Sequence, residues 1–475
     1  MSMHGVDTVN IINDSECIID NGQLESIISS SPYSVDEEIT SELVNSNDGF
    51  DALKLQWDIL LELSGSHVFQ TFEWQRTWWK HFGGKNRLHI IVFRKNDELI
   101  AIVPLYLERI SLLYKFSFWK LNFIGSSVPA GNSSGVFVNY SPTDYLDLIV
   151  RPEYEDQVAE LFLLYLKESG DQLNQVIFDE VSEESFLMRK VVPAMEKRDW
   201  SLKKIRKENC PRINLPETME GYLLDLSEKS RHELRYSKRA VTEKKLFRVE
   251  SADSLESVRS IFDEFVRLHQ KRWNSQGLPG IFADKKFTEF LRDVTEVIFE
   301  RGWLRLKIAK TDDQSLAVDY AFTFNKRLYD YQKAFDFESP LSSKYGPGKT
   351  LFYYLMEEAI HEGSKVFDLL RGDERYKMRI ANDSRYNWKI VIPDPDQNKG
   401  SKYRWFNIYS RLCGIYMRIA RERLILLMHL KEWGIVKCLP VYLKFLKNRI
   451  RGKLIKSHNP EQPSLDRRLV GVRRV

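Results

Sequence analysis

The sequence predicts an α/β (α+β) protein of two tandem folded units, each with a mixed, mainly antiparallel sheet flanked by helices, followed by a basic helical C-terminal tail. Three observations predict it. Strand-length apolar runs joined by short polar turns form a hairpin in the first unit and a meander in the second. Segments of helical periodicity stand before and after each set of strands. Charge is distributed unevenly: residues 1–50 hold ten Asp or Glu and no Lys or Arg, whereas residues 401–475 hold eighteen Lys or Arg and four Asp or Glu. With a net charge of +4 overall, the tail carries 18 − 4 = +14 and the rest 4 − 14 = −10.

A chain of 475 residues suits two or three domains. The pattern divides it into an acidic lead-in (1–50) expected to be disordered, a first unit (51–216), a second unit (217–398) and the tail (399–475). The four cysteines are scattered without a C-x-x-C pair, and the nine histidines show no metal-ligand spacing. Free thiols, a reducing compartment and no metal are expected. No basic-then-apolar leader opens the chain, and no run of about 18 apolar residues interrupts it. These features predict a soluble cytoplasmic protein.

In the first unit, Thr71 is suited to cap a helix carrying Trp74, Trp78 and Phe82 on one face. Strands follow at Leu88–Phe93 and Leu99–Leu107, turning at Arg94–Glu98. A Gly- and Ser-rich connection spans 123–135. A helix near 154–168 and a strand at Val176–Phe178 come next. The second unit begins after the strand Cys210–Pro216. Ser227–Lys245 reads as a charged helix, either a solvated face or a dock for an anionic ligand, and Leu255–Trp273 as another helix. The meander occupies Leu304–Lys310, Leu316–Asn325 and Leu328–Phe335, and Trp388–Ile392 makes a last strand.

Between the meander and that strand lies the stretch that bears on chemistry, Ser343–Lys377. Tyr345-Gly346-Pro347-Gly348-Lys349-Thr350 reads as a loop opening a helix from Thr350 to Glu362, with Gly363 as its stop. A helix start of this kind offers free N–H groups and a positive dipole end to an anion such as a pyrophosphate. Gly348-Lys349-Thr350 copies the end of a nucleotide-binding P-loop, but Ser343 stands where the first glycine is required, which argues against an NTPase. The strand Lys365–Leu370 then delivers the charged run Arg371–Lys377 to the end of a sheet, where ligands of α/β proteins bind.

Three segments together resemble a known family. They are Tyr331-Gln332-Lys333-Ala334-Phe335-Asp336, Tyr345-Gly346-Pro347-Gly348, and Phe367-Asp368-Leu369-Leu370-Arg371-Gly372-Asp373-Glu374-Arg375-Tyr376-Lys377. They resemble the signature of the CelD-like, cellulose-biosynthesis-type acetyltransferases of the GNAT superfamily. The Trp-rich helix at 69–83 and Val103-Pro104-Leu105 are similar to that group as well. The family usually has Ser at the position of Gly346. The likeness covers about residues 65–395 and neither tail.

The resemblance implies two tandem GNAT-like domains and acyl transfer from acetyl-CoA or another acyl-CoA, without a metal. It implies a coenzyme pyrophosphate on Tyr345, Gly346, Pro347, Gly348, Lys349 and Thr350, and a thioester where the strand before this helix splays from the strand after it. The acceptor must lose a proton, so a base is needed. The candidates are Asp368 and Asp373, then Tyr331 and Asp336; for Asp368 a structural bond to Arg371 is the alternative. Arg371, Tyr376 and Lys377 are candidates for binding the acceptor, a sugar, polysaccharide precursor or small amine. Two other readings stay open: a Fem-like aminoacyl transferase using aminoacyl-tRNA, and a non-catalytic scaffold. The tail fits an anionic membrane surface, an acidic partner or a cover for the body. Nucleic-acid binding is not expected of the tail, because no recognised motif accompanies its charge.

Overall fold

The computed structural model describes residues 39–112, 116–128, 140–171, 173–276 and 280–393. The basic tail, most of the acidic lead-in and much of the Gly- and Ser-rich connection lie outside them. The strands are β1 (Ile39–Val44), β2 (Arg87–Lys95), β3 (Glu98–Leu112), β4 (Phe116–Phe123), β5 (Ile149–Val150), β6 (Gln175–Ser182), β7 (Lys203–Asn214), β8 (Arg248–Ser251), β9 (Leu304–Lys310), β10 (Ser315–Phe324), β11 (Arg327–Phe335), β12 (Val366–Asp368) and β13 (Asp383–Ile392). The helices are α1 (Asn47–Ala52), α2 (Lys54–Ser64), α3 (Phe72–Phe82), α4 (Glu155–Glu168), α5 (Val192–Lys197), α6 (Met219–Asp225), α7 (Glu228–Thr242), α8 (Leu255–Ser275), α9 (Lys285–Glu300), α10 (Pro340–Tyr345), α11 (Pro347–His361) and α12 (Arg375–Ile380).

One sheet runs through the described residues in the order β1-β2-β3-β4-β6-β13-β7-β12-β11-β10-β9-β8, with β5 paired to β3. The fold class is that expected: a large mixed sheet, mainly antiparallel, with helices on its faces. Each half is built alike. An antiparallel meander (β2-β3-β4; β9-β10-β11) is followed by a helix (α4; α11) and a strand parallel to the meander's last one (β6 beside β4; β12 beside β11). Each half then sends its last strand across: β7 pairs with β12, β13 pairs with β6, and the two pair with each other. Trp388, Ile390 and Ile392 of β13 pack with Val176, Phe178 and Val181 in the first half's core. The halves are therefore interlocked by hydrogen bonds as well as by packing.

Local signals account for most elements. Thr71 caps α3 by accepting from the Trp74 N–H at 3.3 Å, and Trp74, Trp78 and Phe82 are fully buried as core. Ser227 caps α7, and Asp284 caps α9 through the N–H groups of Lys286 and Phe287. Three expectations are corrected. Residues 39–50, placed in the lead-in expected to be disordered, form β1 and the start of α1, because β1 alternates its side chains and pairs along β2. The expected loop Tyr345–Thr350 is instead the meeting of two helices, α10 and α11, hinged at Gly346, whose φ of +61° suits glycine. The last strand starts at Asp383, not Trp388, and joins the first half's sheet.

Candidate functional site

Parallel pairing in the second half is short. It covers Arg327↔Val366, Leu328↔Phe367 and Tyr329↔Asp368, after which β11 and β12 diverge. Just beyond the split, β11 carries a bulge: Asp330 faces Ala321 and Gln332 faces Tyr320, leaving Tyr331 extra. From Asp330 onward the β12-facing edge of β11 has no strand partner among the described residues. A main chain opened this way has N–H groups to offer a ligand.

The start of α11 supplies the second feature. The Gly346 N–H bonds to the Ser342 carbonyl at 3.1 Å, the Lys349 N–H returns to the Gly346 carbonyl at 2.8 Å, and Pro347 has no N–H. Gly348 is left with the open donor, and a Cβ built there would meet nothing within 4 Å. An anion thus has access to the positive end of a helix of 15 residues. Lys349 does not point there freely, since its Nζ bonds to Glu233 of α7 at 2.7 Å. Thr350 is buried and donates to the Ser237 carbonyl at 2.9 Å, binding α11 to α7. Tyr345 stacks on Tyr236 with ring centroids 5.7 Å apart.

The charged run after β12 turns inward. Asp368 is fully buried. One carboxylate oxygen accepts from the Tyr145 hydroxyl at 2.8 Å and the Leu370 N–H at 2.9 Å; the other accepts from Arg385 at 2.6 Å. The Arg385 guanidinium also lies 3.9 Å from the centroid of the Tyr145 ring. The Leu370 bond holds a left-handed turn, φ +54°, in a residue other than glycine. That turn points Arg371 into the first half, where it meets Asp144 and Glu180 at 2.9 Å each and the carbonyls of Thr143 and Ser141 at 2.7 and 3.0 Å. Lys377 is buried and donates to the Arg371 carbonyl at 2.8 Å.

Asp368 is thus bonded to Arg385 rather than to Arg371, the partner expected of a structural role, while Arg371 and Lys377 are each engaged by acceptors of the protein itself. Asp336 is similarly spent, on Lys271 and the Glu338 N–H. Asp373 lies on the exposed loop after Gly372. Tyr331 sits in the bulge with its hydroxyl on the Pro142 carbonyl at 2.8 Å, and burial pushes its phenol pKa upward. Tyr376, also expected to bind the acceptor, lies in the first turn of α12 with 41% of its surface exposed.

The residues beneath the wedge where β11 and β12 diverge were not singled out from the sequence. Lys333 donates to Asp319 at 2.7 Å and forms an ion pair with Asp330 at 2.9 Å, and its ammonium lies 5.3 Å from the Phe352 ring centroid on α11. Asp319 is 0% exposed and Asp330 5%. Burial, opposed by Lys333 and reinforced by the Asp330 charge, lifts the Asp319 carboxyl to about 8. The readable signal was an aspartate at an inward position of Leu316-Ala317-Val318-Asp319-Tyr320-Ala321-Phe322, a strand apolar on both faces. Among the described residues no group of three or more His, Cys, Asp or Glu is arranged to hold a metal, and no helix is long and apolar enough to cross a membrane.

Residues 228–378 match the family model described as an acetyltransferase (GNAT) domain. No curated protein matches the chain. Among solved structures, FemX is 10% identical, with 76% of this chain and 99% of that chain covered and a TM-score of 0.49. L-PGS from Bacillus licheniformis is 11% identical over 73% of this chain and 91% of that one, TM-score 0.42. A tandem GNAT protein from the clavulanic acid biosynthesis pathway is 11% identical over 74% and 98%, TM-score 0.39.

Proposed function

We propose that the protein is a GNAT-type acyltransferase. Its second half takes an acyl-CoA, acetyl-CoA in the first instance, and passes the acyl group to a sugar, a polysaccharide precursor or a small amine. The observation that carries this reading is the meeting of three features within the segment that matches the acetyltransferase model: the split after Tyr329 and Asp368, the bulge at Tyr331, and the open helix start at Gly348. In this reading the coenzyme pyrophosphate lies on the Gly348 N–H and the α11 dipole. The thioester enters the split, and a β11 N–H at the bulge holds the oxyanion that forms as the acceptor attacks. Attack is direct, with no covalent enzyme intermediate. Tyr331, whose phenol burial keeps protonated, suits a proton donor to the departing thiolate better than a base.

The second reading, aminoacyl transfer from aminoacyl-tRNA, is favoured by the Lys349–Glu233 pair. It sets a carboxylate beside the turn that a pyrophosphate would use. Calorimetric titration of the full chain with acetyl-CoA separates the two. Under the first, wild type binds at micromolar levels, and Gly348→Asp, which puts a carboxylate over the open N–H without a steric clash, weakens binding by about tenfold or more. A folded wild type that binds neither acetyl-CoA nor longer acyl-CoAs overturns the first reading.

A further inference from the structure

We infer that residues 408–421 of the basic tail dock along the outer face of α2 in the same chain, so that α2 is an inner helix of the protein. Of the three readings of the tail, this selects the cover for the body. α2 is apolar on both sides. Trp57, Leu60 and Leu61 face inward and join one core with Leu99, Ile102 and Ile149 of β3 and β5. On the opposite side Leu55, Ile59 and Leu63 stand one turn apart, 73%, 53% and 50% exposed. No other helix among the described residues sets three large apolar side chains in solvent. A helix apolar all round belongs between two layers and not at a boundary with water.

Charge selects the occupant. The cations on α2 or touching it are already paired: Lys54 with Glu73 at 3.5 Å, Arg301 with Asp58 at 3.1 Å, and Arg94, which also holds Gln56, with Glu42 at 3.9 Å. Glu62, exposed and one turn past Ile59, has no ion-pair partner among the described residues. The charge left over beside the stripe is therefore negative. A second copy docked through the same face would set one Glu62 near another. Residues 1–38 hold eight Asp or Glu and no Lys or Arg, so the same charge repels them. The tail has the complementary pattern. At helical spacing Ile408, Leu412, Ile415, Tyr416 and Ile419 share one face, and Arg411 and Arg418 border it. That face is about 16 Å long at 1.5 Å per residue, which matches α2. Laid on Leu55, Ile59 and Leu63, it removes both apolar surfaces from water and brings guanidinium groups to Glu62.

The connection is long enough. β13 ends at Ile392, opposite Val176 of β6, and Val176 is level with Leu121 of β4 and Leu107 of β3. α2 lies against β3 and β5, which pair at Ile102 and Ile149. Crossing from β13 to β3, moving along β3 to Ile102 and rising one layer takes about 25 Å. About eight extended residues span that distance, and residues 393–407 supply fifteen.

The test uses the full chain. With Ile59 replaced by the photo-reactive benzoylphenylalanine, irradiation is expected to link position 59 to a peptide within 408–421 of the same chain, identified by mass spectrometry in the monomer band. In a second measurement, trypsin cleavage after Arg411, Arg418 and Arg421 is timed in wild type and in Ile59→Asp, whose folding is checked by its thermal transition. A carboxylate in the stripe is expected to speed these cleavages about tenfold by undocking the tail, with cleavage in the body unchanged. A link to residues 1–38 or to a second chain overturns the inference. So does the absence of any link to 408–421, which a tail held for a membrane or another protein would give, and so do equal cleavage rates in two folded proteins. If Ile59→Asp lacks the wild-type transition, the cross-link alone decides.

Discussion

The two halves carry the same parallel split and finish it in opposite ways. In the first half the last rung is Asn122↔Ile177, and the next residues are Phe123 and Phe178, whose ring centroids lie 4.8 Å apart with Phe162 behind them. All three are fully buried, so the wedge is closed with hydrocarbon. In the second half the next residues are Asp330 and Leu369, and the floor is ionic. The helix starts differ as well. α4 opens with Glu155 and Asp156, paired with Arg189 and Lys190, whereas α11 opens with Gly346-Pro347-Gly348. An acidic first turn strengthens a helix and repels an anion; an open one offers itself to a ligand. The first half has put the frame to use as a support, and the second has kept its wedge polar at a cost in stability.

The exchange of β7 and β13 bears on the comparison most heavily. Residues 39–216 alone retain β6 without β13 and expose Val176, Phe178 and Val181. That fragment is expected to show no cooperative unfolding transition in urea, while the full chain does; a cooperative transition in the fragment would break the claim that the halves are one folding unit. Phe178→Ala in the full chain opens the closed wedge and is expected to cost about 3–5 kcal/mol by denaturant titration. The same protein should bind acetyl-CoA unchanged, because the lost contacts belong to the supporting half.

The smallest effect is the most diagnostic of the polar wedge. Asp319 holds its proton up to about 8 in the native protein, against 3.8 in an unfolded chain. Between those values the native state binds the proton that the unfolded state has released, so stability falls as pH rises toward about 8. Lys333, which opposes the rise, and Asp330, which adds to it, are the charged groups that modulate this titration. Asp319→Asn removes the liability. It is expected to raise Tm by about 2 °C or more at pH 8 and by less at pH 5; an equal change at both would mean that the carboxyl is not the protonated member of the pair.

Much of the candidate site could be located without coordinates, but the partners that engage each of its residues could not. The Gly346–Gly348 turn was legible because helix starts follow local rules, whereas the pairing of Lys349 with Glu233, 116 residues away in sequence, was not. The run Phe367–Lys377 was legible as a polar cluster at a strand end. Which partners its members find depended on the left-handed turn at Leu370, which sends Arg371 into the first half. The helix Lys285–Glu300 passed unread although Asp284 and the apolar spacing of Phe287, Leu291, Val294 and Ile298 mark it.

Short-range physics determined the helices, caps, hairpins and the hinge at Gly346 from the sequence itself, since capping, periodicity and the demands of positive φ act within a few residues. The tertiary structure decided which half each last strand completes, and with it which charges are buried. β13 reaches β6 more than 200 residues earlier in the chain, and Asp368 finds Tyr145 across 223 residues. Asp368 accepts from Tyr145, Leu370 and Arg385, whereas Asp330 meets the Lys333 ammonium and a second carboxylate, Asp319. That distinction between Asp368 and Asp330 exists only once the chain has folded, because desolvation and partner geometry are properties of the packed interior rather than of the residue.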